Sequence, residues 1–454
     1  MQHTVDLLIK NARLIATQNP AREEIPGGWV AIHDGLIHSL GASCSEPAAT
    51  RILDAANSLV TPGLINTHHH MWQNLTRSYR PSTDKPFVDW LKTLVPLWAG
   101  LDEESVYVSA WIGLAELALG GCTTTTDHLY LHPKGAGDLI AAEIRAATDL
   151  GMRFHPTHGS VSRMNDGLDI FPDSVYHDED EILAYSQSLI DRFHDTGHGA
   201  MTRIALAPHS LMCASTSLLK RTAELAHQCD CRLHIHLAAD PFDEAYSMEH
   251  FGLRPVEYLD SLGWIGDRTW VAHCIWPNAD EIQRLGAAGT GIAHCASACM
   301  LCGAGLAPIH EMRAAGSPVG IACDGSSDSD TGSLWLEART ALLQGRYRKG
   351  PAALQARDML DMATLGGAAC LGRQGELGTL VPGAVGDVAV WSQTGIAFAG
   401  AHSDPIEAWL RCGPTSARHT VVAGRVLVEN GEFQFPVADM LRRHEVLSRR
   451  MQGL

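Results

Sequence analysis

The chain has 454 residues, 45 % hydrophobic and 19 % charged, which is enough apolar material for one large barrel domain plus a smaller unit. A net charge of −17 argues against a nucleic-acid backbone as partner, since phosphate binding is driven by lysine and arginine. With no apolar run of about 18 residues and no basic-then-apolar leader at its start, the chain is expected to be soluble and cytoplasmic, with no membrane partner.

In chain order, residues 5–15, 29–40 and 51–59 read as short strands punctuated by Asn, Asp and Gly. Residues 387–391 and 419–432 read the same way, the latter with Asn430-Gly431 as a hairpin turn. Between these ends lie eight apolar runs, each closing on a polar or histidine-rich cluster: 60–70, 122–128, 153–160, 203–210, 232–238, 270–274, 291–297 and 319–325. Helical stretches at 103–119, 179–194, 216–228 and 279–288 alternate with them. Eight strand–helix units predict an α/β fold, a (β/α)8 TIM barrel over 60–373. A small β-sandwich is expected from 1–59 and 374–454, the latter ending in a tail helix.

The 12 cysteines sit mostly in apolar stretches and read as small buried hydrophobes of a reduced compartment. Cys299 and Cys302 form one CxxC, a weak redox or zinc signal without a second pair.

The 24 histidines are more telling, because several fall at predicted strand ends. Alternate residues of a strand share a face, so His68 and His70 can meet one metal while His69 points away. His234 and His236 pose the same choice on the fifth strand; His273 ends the sixth and Asp324 the eighth. Imidazoles with one carboxylate suit one divalent ion, zinc first and iron second. A metal-activated water could attack a substrate, with Asp324 taking its proton and His273 polarising the attacked group.

These motifs, PGLINTHHH, GCTTTTDH, HIH, WVAHC, HCAS and DGS with the late PGAVGDVAVW, resemble the amidohydrolase superfamily in its branch of aromatic-ring deaminases and chlorohydrolases. Within it, Gln73, WLKTL at 90–94 and FGLR at 251–254 are most similar to the 8-oxoguanine deaminase group. The resemblance implies His68, His70, His236 and Asp324 as ligands and His273 as a catalytic group. It also implies a small nitrogen heterocycle as partner and a homo-oligomeric assembly. Gln73, Trp98, His128, Tyr130 and His158 are the expected substrate contacts. Three departures stand out: the HCPSSNMR-like stretch of the branch reads HCASACML at 294–301, an arginine near the end of the third strand is His158, and the end of the fifth strand differs. The branch carries a glutamate three residues after the fifth-strand histidine, and here the position is Ala239, followed by Asp240. Three readings stay open. Asp240 or a neighbouring carboxylate, Asp243 or Glu244, replaces the missing acid; the reaction has another leaving group and needs only Asp324 and His273; or the chain is a metal-binding homologue impaired in catalysis.

Overall fold

The computed structural model describes residues 4–43, 45–162 and 170–454. Eight parallel strands pair in chain order: β1 (Leu64–Asn66), β2 (Cys122–Leu129), β3 (Arg153–Ser160), β4 (Ala205–Pro208), β5 (Arg232–Leu237), β6 (Thr269–His273), β7 (Gly291–His294) and β8 (Val319–Ile321). Their side chains are almost all buried, as expected of strands covered on both faces. The ring closes between β8 and β1. Thr67 N–H donates to Ile321 O at 3.2 Å and Asp324 N–H to His68 O at 3.1 Å. Just beyond them, Asp324–Gly325 runs parallel to His69–His70.

The outer helices begin where the sequence supplies caps. Asp102, Ser215, Asn278 and Ser333 each accept a backbone N–H of the helix they precede. Those helices run Glu103–Leu119, Thr216–Gln228, Ala279–Ala288 and Leu334–Lys349. Among the described residues no helix is long and apolar enough to cross a membrane.

The two chain ends form a β-sandwich. One sheet holds four strands from residues 5–54; the other holds seven, in which Ser58–Pro62 pairs antiparallel with Val388–Ser392. Leu7, Ile9, Val30, Ile32, Val60, Val388 and Val421 fill the space between them. The run 51–59 is split by a turn at residues 55–57. The tail helix, Ala438–Gln452, returns to the barrel: Ser448 Oγ donates to Leu75 O at 2.7 Å, and His444 Nε2 meets Asn74 Oδ1 at 2.7 Å.

The run 60–70, expected as one barrel strand, is three pieces. Ser58–Pro62 belongs to the sandwich, Leu64–Asn66 is β1, and His69–His70 is a separate two-residue strand. Pro62 and Gly63 make the break. A Cβ at Gly63 would lie 2.7 Å from Thr123 Cβ, with the rest of that buried side chain closer still. Thr123 is β-branched on β2 and has little rotamer freedom with which to yield. Gly63→Ala is therefore expected to destabilise the protein by about 1–3 kcal/mol, read as a lower Tm in thermal unfolding; an unchanged Tm would show that the sandwich-to-barrel crossing is not tight there.

Candidate metal centre and cavity

The strand ends aim their side chains through unusual backbone. Ala238 (φ 49°), His273 (φ 72°), Cys274 (φ 48°) and Asp324 (φ 62°) all occupy the left-handed region without being glycine. Such residues cost about 1–3 kcal/mol each and cluster where a site over-determines them.

Hydrogen bonds decide the tautomers. His234 Nδ1 lies 2.9 Å from Trp270 O, and a carbonyl can only accept, so His234 carries its proton there and presents a bare Nε2. That Nε2 lies 2.8 Å from His68 Nδ1, which must donate to it. His68 is left with a bare Nε2, buried and without a hydrogen-bond partner. His70 Nδ1 meets His128 O and His236 Nδ1 meets His209 O, both at 2.8 Å. Their Nε2 atoms are therefore bare as well, and they face each other at 3.1 Å. Asp324 Oδ1 lies 3.4 Å from both His68 Nε2 and His70 Nε2.

Three lone pairs and a carboxylate oxygen converging at such distances repel one another unless a cation joins them. Burial keeps the rings neutral, as ligation requires. It holds His68 and His70 well below the usual histidine range, with neighbouring histidines adding to the effect, and it lowers His236 to about 4. The donor set fits a divalent metal ion. His69 stands apart, its Nδ1 accepting from His70 N–H at 2.8 Å. His273 Nδ1 lies 3.6 Å from Asp324 Oδ2, and its ring stacks on His236.

A cavity opens above this cluster. His70, His236, His273 and Asp324 form its floor; Phe87, Trp90, Leu91 and Tyr130 form one wall; Ala298, Cys299 and Cys302 lie on another. The CxxC thus lies in the cavity lining with both thiols free, and burial pushes Cys299 well above the usual thiol range. Gln73 lines the cavity with its Oε1 accepting from Ser327 N–H at 3.3 Å. A backbone N–H can only donate, so the carboxamide oxygen is taken up and its NH2 is left to donate. Gly325 permits this, because a Cβ there would overlap the Gln73 carboxamide.

The other expected contacts divide. Tyr130 and Asp240 line the cavity. β5 ends at Leu237, the left-handed Ala238 turns the chain, and Asp240 caps the helix Pro241–Phe251 by accepting from Phe242 N–H at 2.9 Å. His128 lies outside the lining and stacks on His236, 4.7 Å between centroids, with Nε2 bound to Ala207 O. Trp98 is behind the wall, donating from Nε1 to Thr76 Oγ1 at 2.9 Å and packing edge-on against Trp90. His158 is also away from the lining, its Nδ1 2.7 Å from Ser186 Oγ and its ring against Tyr185. Sequence reasoning passed over Phe87, Asp328 and Cys295, the last lying with His68, His273 and Asp324 in a potential ligand group. Only Cys295 carried a local signal, its place beside His294 at the end of β7.

Comparison with known proteins places the fold. The 8-oxoguanine deaminase of Pseudomonas aeruginosa is 40% identical over 439 residues, covering 96% of this chain and 97% of that protein. An isoxanthopterin deaminase from an unknown prokaryotic organism is 31% identical over 93% of this chain and 92% of its own length. The atrazine chlorohydrolase of Arthrobacter aurescens TC1, solved in complex with zinc, superposes with a TM-score of 0.93 at 32% identity, covering 97% of this chain and 100% of that one. Residues 59–427 match the amidohydrolase family, and with more than half of its length so matched the chain belongs to that family.

Proposed function

We propose that the chain is a metal-dependent aminohydrolase of a small planar nitrogen heterocycle of the 8-oxoguanine, guanine, pterin or triazine kind. The observation that carries this reading is the convergence of three bare imidazole nitrogens on Asp324, with His70, His236 and Asp324 at the floor of an aromatic-walled cavity. The relatives named for 8-oxoguanine, isoxanthopterin and atrazine support the substrate class. His68, His70, His236 and Asp324 would hold one divalent ion, zinc before iron. When bound, such an ion makes water acidic enough to deliver hydroxide near neutral pH.

The chain's own residues do the rest. Asp324 accepts the proton that the attacking water gives up. His273, 3.6 Å from the same carboxylate, hydrogen-bonds the group under attack as negative charge develops on it. Gln73 donates from its NH2 to a ring carbonyl or ring nitrogen. Trp90 and Tyr130 hold the ring flat and shield it from water. A second reading, with a leaving group that needs no added proton, is favoured by one observation: Ala239 presents only a methyl group to the cavity.

The test is ammonia release from a panel of purines, pterins and triazines, with peptides, phosphate esters and sugars as controls. Turnover confined to the heterocycles is expected, with one metal ion per chain by elemental analysis; two tightly held ions, or a preference for the controls, would count against it. His70→Ala is expected to lose the ion and His69→Ala to keep it. His273→Ala should keep the ion but lose about 10²–10³-fold in kcat, and near-normal turnover in that variant would remove His273 from the mechanism.

A further inference from the structure

Four carboxyl groups line the cavity, Asp240, Asp243, Asp324 and Asp328, and three of them are engaged. Asp324 meets the histidines. Asp240 caps the helix Pro241–Phe251. Asp243, in the first turn of that helix, accepts from Ala239 N–H at 2.8 Å. Asp328 is different: its Oδ1 is buried and has no hydrogen-bond partner.

The turn that carries Asp328 is pinned on both sides. Asp328 N–H and Ser329 N–H both donate to Gly325 O, at 3.2 and 2.9 Å. Ser327 gives its N–H to Gln73, and its carbonyl accepts from Trp90 Nε1 at 3.2 Å. The carboxyl is thereby fixed beside the two residues that would clasp the ring. A carboxylate with one oxygen buried and orphaned is costly, and the same group as a neutral acid is less so. Burial raises Asp328 well above the usual carboxylate range.

Release of an amine from a ring carbon needs a proton on the adjacent ring nitrogen and then another on the leaving nitrogen. Ala239 can provide neither. We propose that Asp328 is the catalytic acid that protonates the ring, an inference that rests on the aminohydrolase reading above. Water adds through its oxygen to the carbon bearing the amine while Asp324 takes one of its protons. Asp328 gives its proton to the adjacent ring nitrogen, onto which the C=N electron pair moves. The proton on Asp324 passes to the amine, the C–N bond breaks, and ammonia leaves with the bonding pair. The new hydroxyl becomes a carbonyl as its proton returns to Asp328, and both carboxyl groups are restored.

The experiment compares the wild type with Asp328→Asn, Asp328→Glu and Asp243→Asn. The substrate is 8-oxoguanine or whichever ring of the panel the wild type turns over fastest. Asp328→Asn keeps the shape and can still donate a hydrogen bond, but it cannot release a proton. It is expected to retain its metal and to bind the oxo product with near wild-type affinity, while kcat falls about 10²–10⁴-fold. Asp328→Glu, and Ala239→Glu added to Asp328→Asn, should each recover part of the loss. Near-normal kcat in Asp328→Asn overturns the proposal, as does loss of product binding or metal together with turnover, which marks a structural role. Comparable loss confined to Asp243→Asn assigns the acid there instead and equally overturns it. A wild type that releases ammonia from no ring in the panel refutes the aminohydrolase reading itself, a result distinct from an active wild type with an unaffected Asp328→Asn.

Discussion

Closure of the barrel between β8 and β1 is the constraint on which the centre depends. The hydrogen bonds from Thr67 to Ile321 and from Asp324 to His68 join the first strand to the last across more than 250 residues of chain. They also set Asp324 beside His68 and His70, since the parallel register of 324–325 with 69–70 follows directly from them. A barrel left open at this seam would still carry the histidines of β5, but it would have no carboxylate facing them. Stability and ligand geometry therefore share the same few backbone bonds.

Around that seam the histidines form a relay of fixed tautomers. Trp270 O sets the proton of His234, His234 sets that of His68, and the carbonyls of His128 and His209 do the same for His70 and His236. Every link ends on a backbone carbonyl of the barrel, so the orientation of the rings is a property of the sheet. Partners of this kind hold ligands in place and raise their basicity. His234, one of two candidates on β5, bonds His68 Nδ1, and His128, expected to touch substrate, contributes its carbonyl and a stacked ring.

The carboxyl groups around the cavity differ in what holds them. With alanine at 239, the carboxyl groups nearest in sequence are taken up by the start of the next helix, where Asp240 and Asp243 satisfy backbone N–H groups that would otherwise be orphaned. Asp328, whose Oδ1 has no partner, comes instead from the turn after β8, where Gln73 and Trp90 bond the neighbouring Ser327. Cys299 and Cys302 also line the cavity, and burial leaves Cys299 a neutral thiol.

The barrel, the sandwich from both chain ends and the convergence of His68, His70, His236 and Asp324 were legible in the sequence, because each rests on a local signal. Strand ends announce themselves by the change from apolar to polar residues, helix starts by their caps, and the pairing of His68 with His70 by the two-residue period of a strand. Other features depended on where the chain goes next. The break at Pro62-Gly63 reflects a close approach to Thr123, far along the chain on β2. Trp98 and His158 carried a plausible signal as ligand contacts, but packing turned one behind Trp90 and the other toward Ser186. Asp328 looked like one acidic residue among several in a polar turn. Its distinction is an unpartnered oxygen in a cavity assembled from distant strands. Periodicity and capping are written in neighbouring residues, whereas burial, and with it the protonation of a carboxyl group, is decided by which segments the fold brings over it.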